Sequence, residues 1–99
     1  MYKSISMSEF SEKHTANPVN LVDVREKDEY ANGHVPGAVN MPLSELAGSF
    51  DQLDKDTEYH IICHSGARSA KASQFLDQQG LDVVNVEGGT MSWPNELEK

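Results

Sequence analysis

The chain carries a single cysteine, Cys63. That excludes an internal disulfide, a C-x-x-C redox pair and a cysteine-rich zinc site. A basic surplus is also missing: Lys and Arg number 8 against 16 Asp and Glu, for a formal charge of −8. Nucleic acid and anionic membrane surfaces both need a basic footprint, so neither fits as a partner. No apolar run approaches the ~18 residues of a membrane-spanning helix. The opening M-Y-K-S-I-S-M has no apolar core and does not read as a signal peptide. Repeats, low-complexity tracts and linkers are absent as well. What remains is the profile of one small acidic domain, residues 1–99, expected in the cytoplasm. A domain of this size buries somewhat over ~60% of its unfolded surface, enough for one core without staples.

Four short segments have strand character: Leu21–Arg25, Ala38–Met41, Tyr59–Cys63 and Val83–Val86. They are rich in β-branched residues and bounded by Pro, Gly or Asp. A fifth, Lys3–Ile5, is very short. Helical stretches lie between them. Ser6 or Ser8 is placed to cap a helix running to about His14. Glu26–Ala31 is a short acidic helix. Leu43, Leu46, Ala47 and Phe50 stand at i, i+3, i+4, i+7, which predicts a helix over Leu43–Phe50. Arg68–Gln79 ends at Gly80, a residue suited to a helix C-terminus. A last turn, Thr90–Trp93, meets Pro94. Strands alternating with helices predict an α/β fold with a parallel sheet covered on both faces. In such folds ligands bind beyond the carboxyl ends of the strands.

The segment Cys63–Ser69, C-H-S-G-A-R-S, occupies such a position. It leaves an apolar strand and runs into a helix. Backbone N–H groups of a first helical turn have no partner in the helix and gather negative charge. A thiol facing them has a lowered pKa. Gly66 allows the tight turn. Arg68 adds a permanent positive charge, and Lys71 lies on the next turn. Arg68 has two readings of equal weight, contact with an anionic substrate or pairing with an acidic surface residue. Ser65 and Ser69 are candidate hydroxyl donors, although Ser69 reads foremost as a helix cap. His64, next to the cysteine, is expected to face solvent at the mouth. A Cys63–His64 zinc site does not match zinc ligand spacing.

C-H-S-G-A-R-S resembles the active-site loop of the rhodanese (sulfurtransferase) family. Residues 21–42, L-V-D-V-R-E-K-D-E-Y-A-N-G-H-V-P-G-A-V-N-M-P, are similar to that family's first signature. Residues 86–93, V-E-G-G-T-M-S-W, are similar to its closing Gly-Gly…Trp segment. The resemblance implies a three-layer α/β/α rhodanese-like fold with a mainly parallel five-stranded sheet. It implies that Cys63 is the nucleophile and carries a persulfide, with His64, Ser65, Gly66, Ala67, Arg68 and Ser69 around the substrate. Asp23, Arg25 and Glu29 are implied to hold the scaffold near the site through ion pairs. His34 with Pro36-Gly37 reads as a turn element. Gly88-Gly89 is expected to bring the last loop close to the cysteine loop, and Trp93 to anchor the core.

The expected partners are a small anionic sulfur donor, or a sulfur-donating or sulfur-accepting protein. No metal or organic cofactor is implied. Two rivals remain at this point. Rhodanese-like domains also serve as non-catalytic or relay binding modules, although those often lack the cysteine. Cysteine phosphatases share the loop shape, but their C-x5-R spacing puts arginine where this chain has Ser69.

Overall fold

The computed structural model describes residues 2–99. In chain order it has β1 (Lys3–Ile5), α1 (Met7–Ala16), β2 (Leu21–Asp23), α2 (Lys27–Ala31) and β3 (Val39–Asn40). Then come two 3-10 stretches, Leu43–Gly48 and Phe50–Gln52, followed by β4 (Glu58–Ile62), α3 (Ala67–Gln78) and β5 (Asp82–Val86). A 3-10 turn, Thr90–Ser92, follows β5. The five strands form one sheet in the order β1-β5-β4-β2-β3, and every pair is parallel. No helix among the described residues is long and apolar enough to cross a membrane.

Alternation along the strands sends side chains into two cores. On one face Val22, Ile61, Cys63 and Val83 pack with Ala72 and Leu76 of α3 and with Leu46. On the other, Leu21, Ile62 and Val86 pack with Phe10 of α1, joined by Tyr30 and Trp93. Phe10 lies 5.9 Å from the Trp93 ring. The tryptophan thus sits on the α1 side of the sheet, away from the face that carries Cys63.

Local chemistry sets the element ends. Ser6 caps α1, its hydroxyl oxygen accepting from the Glu9 N–H at 3.2 Å. The hydrogen bond from the Arg25 N–H to Asp23 Oδ1 turns the chain out of the sheet, so β2 ends two residues before the expected Arg25. In α2 the Glu29 carboxylate accepts from the Glu26 N–H and secures the first turn. His34 stacks on Tyr30 and pairs its backbone with Glu98 in a single antiparallel bridge.

The helix expected over Leu43–Phe50 is instead two 3-10 stretches broken at Ser49. A 3-10 turn has three residues, so i and i+3 eclipse. Leu43 and Leu46 therefore meet the core while Ala47 swings out to solvent. The apolar spacing fits both helix types along its i, i+3 pairs, and only Ala47 distinguishes them.

Candidate active site

The parallel register places the end of β2 beside the end of β4, with Asp23 opposite Ile62. Cys63 follows directly and is almost wholly buried, at 1% exposure. The chain then turns sharply. Gly66 has φ 107°, a conformation that side-chain-bearing residues rarely adopt, and it forms the N-cap of α3. Three residues separate the cysteine from the helix, fewer than the expected loop running to Arg68. The rest of the C-H-S-G-A-R-S segment is the first turn of α3.

This arrangement directs donors at sulfur. The Gly66 N–H lies 3.0 Å from Cys63 Sγ. The Ser69 hydroxyl oxygen is 3.4 Å from Sγ. Burial of the thiol pushes its pKa up. Hydrogen bonds from the Ser69 hydroxyl and from the backbone N–H groups of Ser69, Gly66 and Ser65 more than offset that, and the thiol ends below its ordinary value.

Ser69 corrects one expectation. It is not the helix cap, because Gly66 holds that position and Ser69 is the third helical residue. Its side chain is fully buried. The hydroxyl also lies 3.1 Å from the Gly66 carbonyl oxygen, to which it donates. One hydroxyl proton thus has two destinations. It points to the carbonyl while the thiol is protonated and turns to sulfur when the thiolate forms.

His64 and Ser65 are exposed, Ala67 faces solvent, and Arg68 is half-buried at the rim. The Arg68 guanidinium grips Glu29 with two parallel bonds, Nη1 to Oε1 at 2.6 Å and Nη2 to Oε2 at 2.8 Å. Of the two readings of Arg68, the geometry is that of the acidic partner. The Arg68 bonds foremost, against an opposing push from burial, hold the Glu29 carboxyl at about 2.

Asp23 and Arg25 form a separate pair beneath the rim. Both Asp23 oxygens accept from Arg25, with Nη2 to Oδ2 at 2.8 Å, and Arg25 Nη2 also donates to the Gly33 carbonyl oxygen. Both residues are buried, so this pair ties β2 to the α2–β3 connection.

The loop after β5 lies against the cysteine loop, the approach expected from Gly88-Gly89, and adds Thr90, which the sequence did not single out. The Cys63 carbonyl oxygen accepts from the Thr90 N–H at 2.8 Å and from the Thr90 hydroxyl at 3.1 Å. The Met91 N–H bonds the His64 carbonyl at 3.1 Å. These bonds fix the peptide planes that aim the following N–H groups at sulfur. They require Gly89 to lie against the cysteine loop. A Cβ on Gly89 would overlap the His64 carbonyl and stand 2.6 Å from the Cys63 oxygen. The Gly-Gly pair carried the only sequence signal for this contact. Thr90 had none, since its partner is a backbone atom 27 residues away.

The family model for the rhodanese-like domain matches residues 6–96. The chain belongs to the rhodanese-like domain family. Among curated relatives, YtwF of Bacillus subtilis, provisionally named a sulfurtransferase, is 44% identical. That match covers 97% of this chain and 94% of the relative. The thiosulfate sulfurtransferase GlpE of Shewanella oneidensis is 33% identical over 93% of this chain and 92% of its own length. Among solved structures, a rhodanese-like domain protein from Staphylococcus aureus superposes with a TM-score of 0.89 at 38% identity. It covers 97% of this chain and 96% of that one. The rhodanese-like fold implied by the sequence is the fold observed, and the relatives bring the family's general activity, sulfur transfer.

Proposed function

We propose that this rhodanese-like domain, acting as a single unit, moves sulfane sulfur from a donor such as thiosulfate to a thiophilic acceptor through a persulfide on Cys63. The observation that carries the reading is the ring of hydrogen-bond donors around Cys63 Sγ, which favours its thiolate. The thiolate attacks the outer sulfur of thiosulfate. The S–S bond of the donor breaks, sulfite leaves with its electron pair, and Cys63–S–S⁻ remains. An acceptor nucleophile then takes the outer sulfur and returns the thiolate, a two-step covalent cycle. The same donors, by favouring the thiolate, lessen the need for a general base.

In this reading Cys63 is the catalytic residue. The backbone of His64, Ser65, Gly66, Ala67, Arg68 and Ser69 is the cradle for the outer sulfur, helped by the Ser69 hydroxyl. Asp23, Arg25 and Glu29 hold the surrounding scaffold. The phosphatase alternative loses support from Arg68, whose guanidinium is held by Glu29 rather than turned over the sulfur. The relay alternative shares the same persulfide and differs only in using a partner protein as donor or acceptor.

The test is the intact mass of the reduced protein before and after thiosulfate, with Cys63→Ser alongside. The expected result is a gain of one sulfur atom that cyanide removes and the variant never acquires. Sulfur transfer that survives in Cys63→Ser would overturn the mechanism.

A further inference from the structure

Both arginines of the chain are engaged by carboxylates. Arg68 is the cation nearest the cradle in sequence, and its donors engage both oxygens of Glu29. It stands within electrostatic reach of Cys63, whose charge is among the influences that raise Arg68, after the dominant one from Glu29. Arg25, the other arginine, is buried against Asp23 and the Gly33 carbonyl. Lys27 pairs with Glu45 at 3.6 Å. The cradle itself offers neutral donors to one sulfur atom. The whole chain carries a charge of −8.

Thiosulfate brings two negative charges. With its outer sulfur delivered to the cradle, its sulfonate end would lie toward the rim. There it meets a guanidinium already neutralised by a carboxylate. A persulfide, or a thiosulfonate with one oxygen replaced by carbon, presents the same transferable sulfur with one charge fewer.

We propose that Glu29, by holding the Arg68 guanidinium, selects sulfur donors by charge: it disfavours dianionic donors such as thiosulfate and admits singly charged ones. The inference rests on the persulfide reading of Cys63 and adds to it the class of donor. Glu29 is the specificity-determining residue, and it acts through Arg68.

The test compares thiosulfate with methanethiosulfonate. Both deliver the same sulfur to the Cys63 thiolate, one releasing sulfite and the other methanesulfinate. Steady-state kinetics with cyanide as acceptor give kcat/KM for each donor. Glu29→Gln is the informative variant. The amide oxygen can still accept from the Glu26 N–H, so the α2 cap survives, while the charge on Arg68 is released. The expected shift is about five- to tenfold in favour of thiosulfate, the scale of one unit charge at a partly solvated rim. It should appear in KM rather than kcat and shrink at high salt. The double variant Glu29→Gln/Arg68→Gln should return the donor ratio to the wild-type value.

An unchanged ratio in Glu29→Gln would overturn the charge assignment alone. So would a loss of thiosulfate use confined to Lys71→Gln, because the working cation would then be Lys71. Failure of wild-type Cys63 to gain sulfur from either donor, read by intact mass, would instead sink the persulfide reading and this inference with it.

Discussion

Replacing Gly89 with alanine tests whether the last loop sets the cysteine cradle. Gly89 has φ 64° and ψ −169°, a region that is essentially glycine-only. Holding alanine there costs ~1–3 kcal/mol. The added Cβ also overlaps the His64 carbonyl and crowds the Cys63 oxygen. These are backbone atoms, so no rotamer change relieves the contact. Shifting the packed segments adds ~1–3 kcal/mol. The combined loss, about 2–6 kcal/mol, is a large part of the ~5–15 kcal/mol that typically holds a domain. Any relaxation must also lengthen the bonds from Thr90 and Met91 to residues 63 and 64. The peptide planes behind the Gly66 N–H then rotate, and the thiolate loses a donor. Urea unfolding followed by Trp93 fluorescence reads the first effect, and the rate of Cys63 alkylation at neutral pH reads the second. Gly48→Ala is the control, since nothing lies within 4 Å of its Cβ. It should be neutral or gain ~0.4–1 kcal/mol from the stiffened unfolded chain. A Gly89→Ala loss below ~1 kcal/mol with unchanged alkylation would refute the close-approach argument.

Ser69→Ala removes the buried hydroxyl at 3.4 Å from sulfur, and the midpoint of Cys63 alkylation against pH should move up. The same depressed thiol pKa makes stability pH-dependent. Below the folded value both states are protonated, so Cys63 contributes nothing; the gain over Cys63→Ser grows with pH and is complete above the unfolded value of about 8.5. Urea midpoints of the two proteins that stay parallel across that window would contradict a thiolate-favouring cradle. Asp23→Ala strands the Arg25 guanidinium, which is 5% exposed, and should cost about 3–5 kcal/mol in urea unfolding. A much smaller loss would mean that Arg25 finds water instead.

The sheet was legible because its inner strands are buried on both faces. Tyr59–Cys63 and Val83–Val86 are short apolar runs, and they coincide with β4 and β5 to within one residue at each end. The ends were harder to read, because side chains set them. The Asp23 carboxylate turns the chain before Arg25, and no apolar pattern registers that bond. The Leu43–Phe50 stretch failed for a related reason. Its i, i+3 apolar pairs satisfy a 3-10 turn as well as an α-helix, and the two differ mainly in where Ala47 points.

At the candidate site, legibility followed distance along the chain. Cys63, Gly66 and Ser69 lie within one strand–turn–helix unit, so their spacing already brings donors and sulfur together. Even there, a three-residue turn instead of a longer loop moved Ser69 from the cap to the side of the sulfur. Arg68 could not be read the same way. Its partner Glu29 lies 39 residues earlier, on a different helix. Only the sheet order, with β2 beside β4, brings α2 against the start of α3. From sequence, substrate contact and an acidic partner weighed equally for Arg68; in the fold it is half of an ion pair. That one long-range contact neutralises the Arg68 charge at the rim. The cysteine motif therefore carries the donors around sulfur, whereas the state of the Arg68 charge depends on a residue outside the motif.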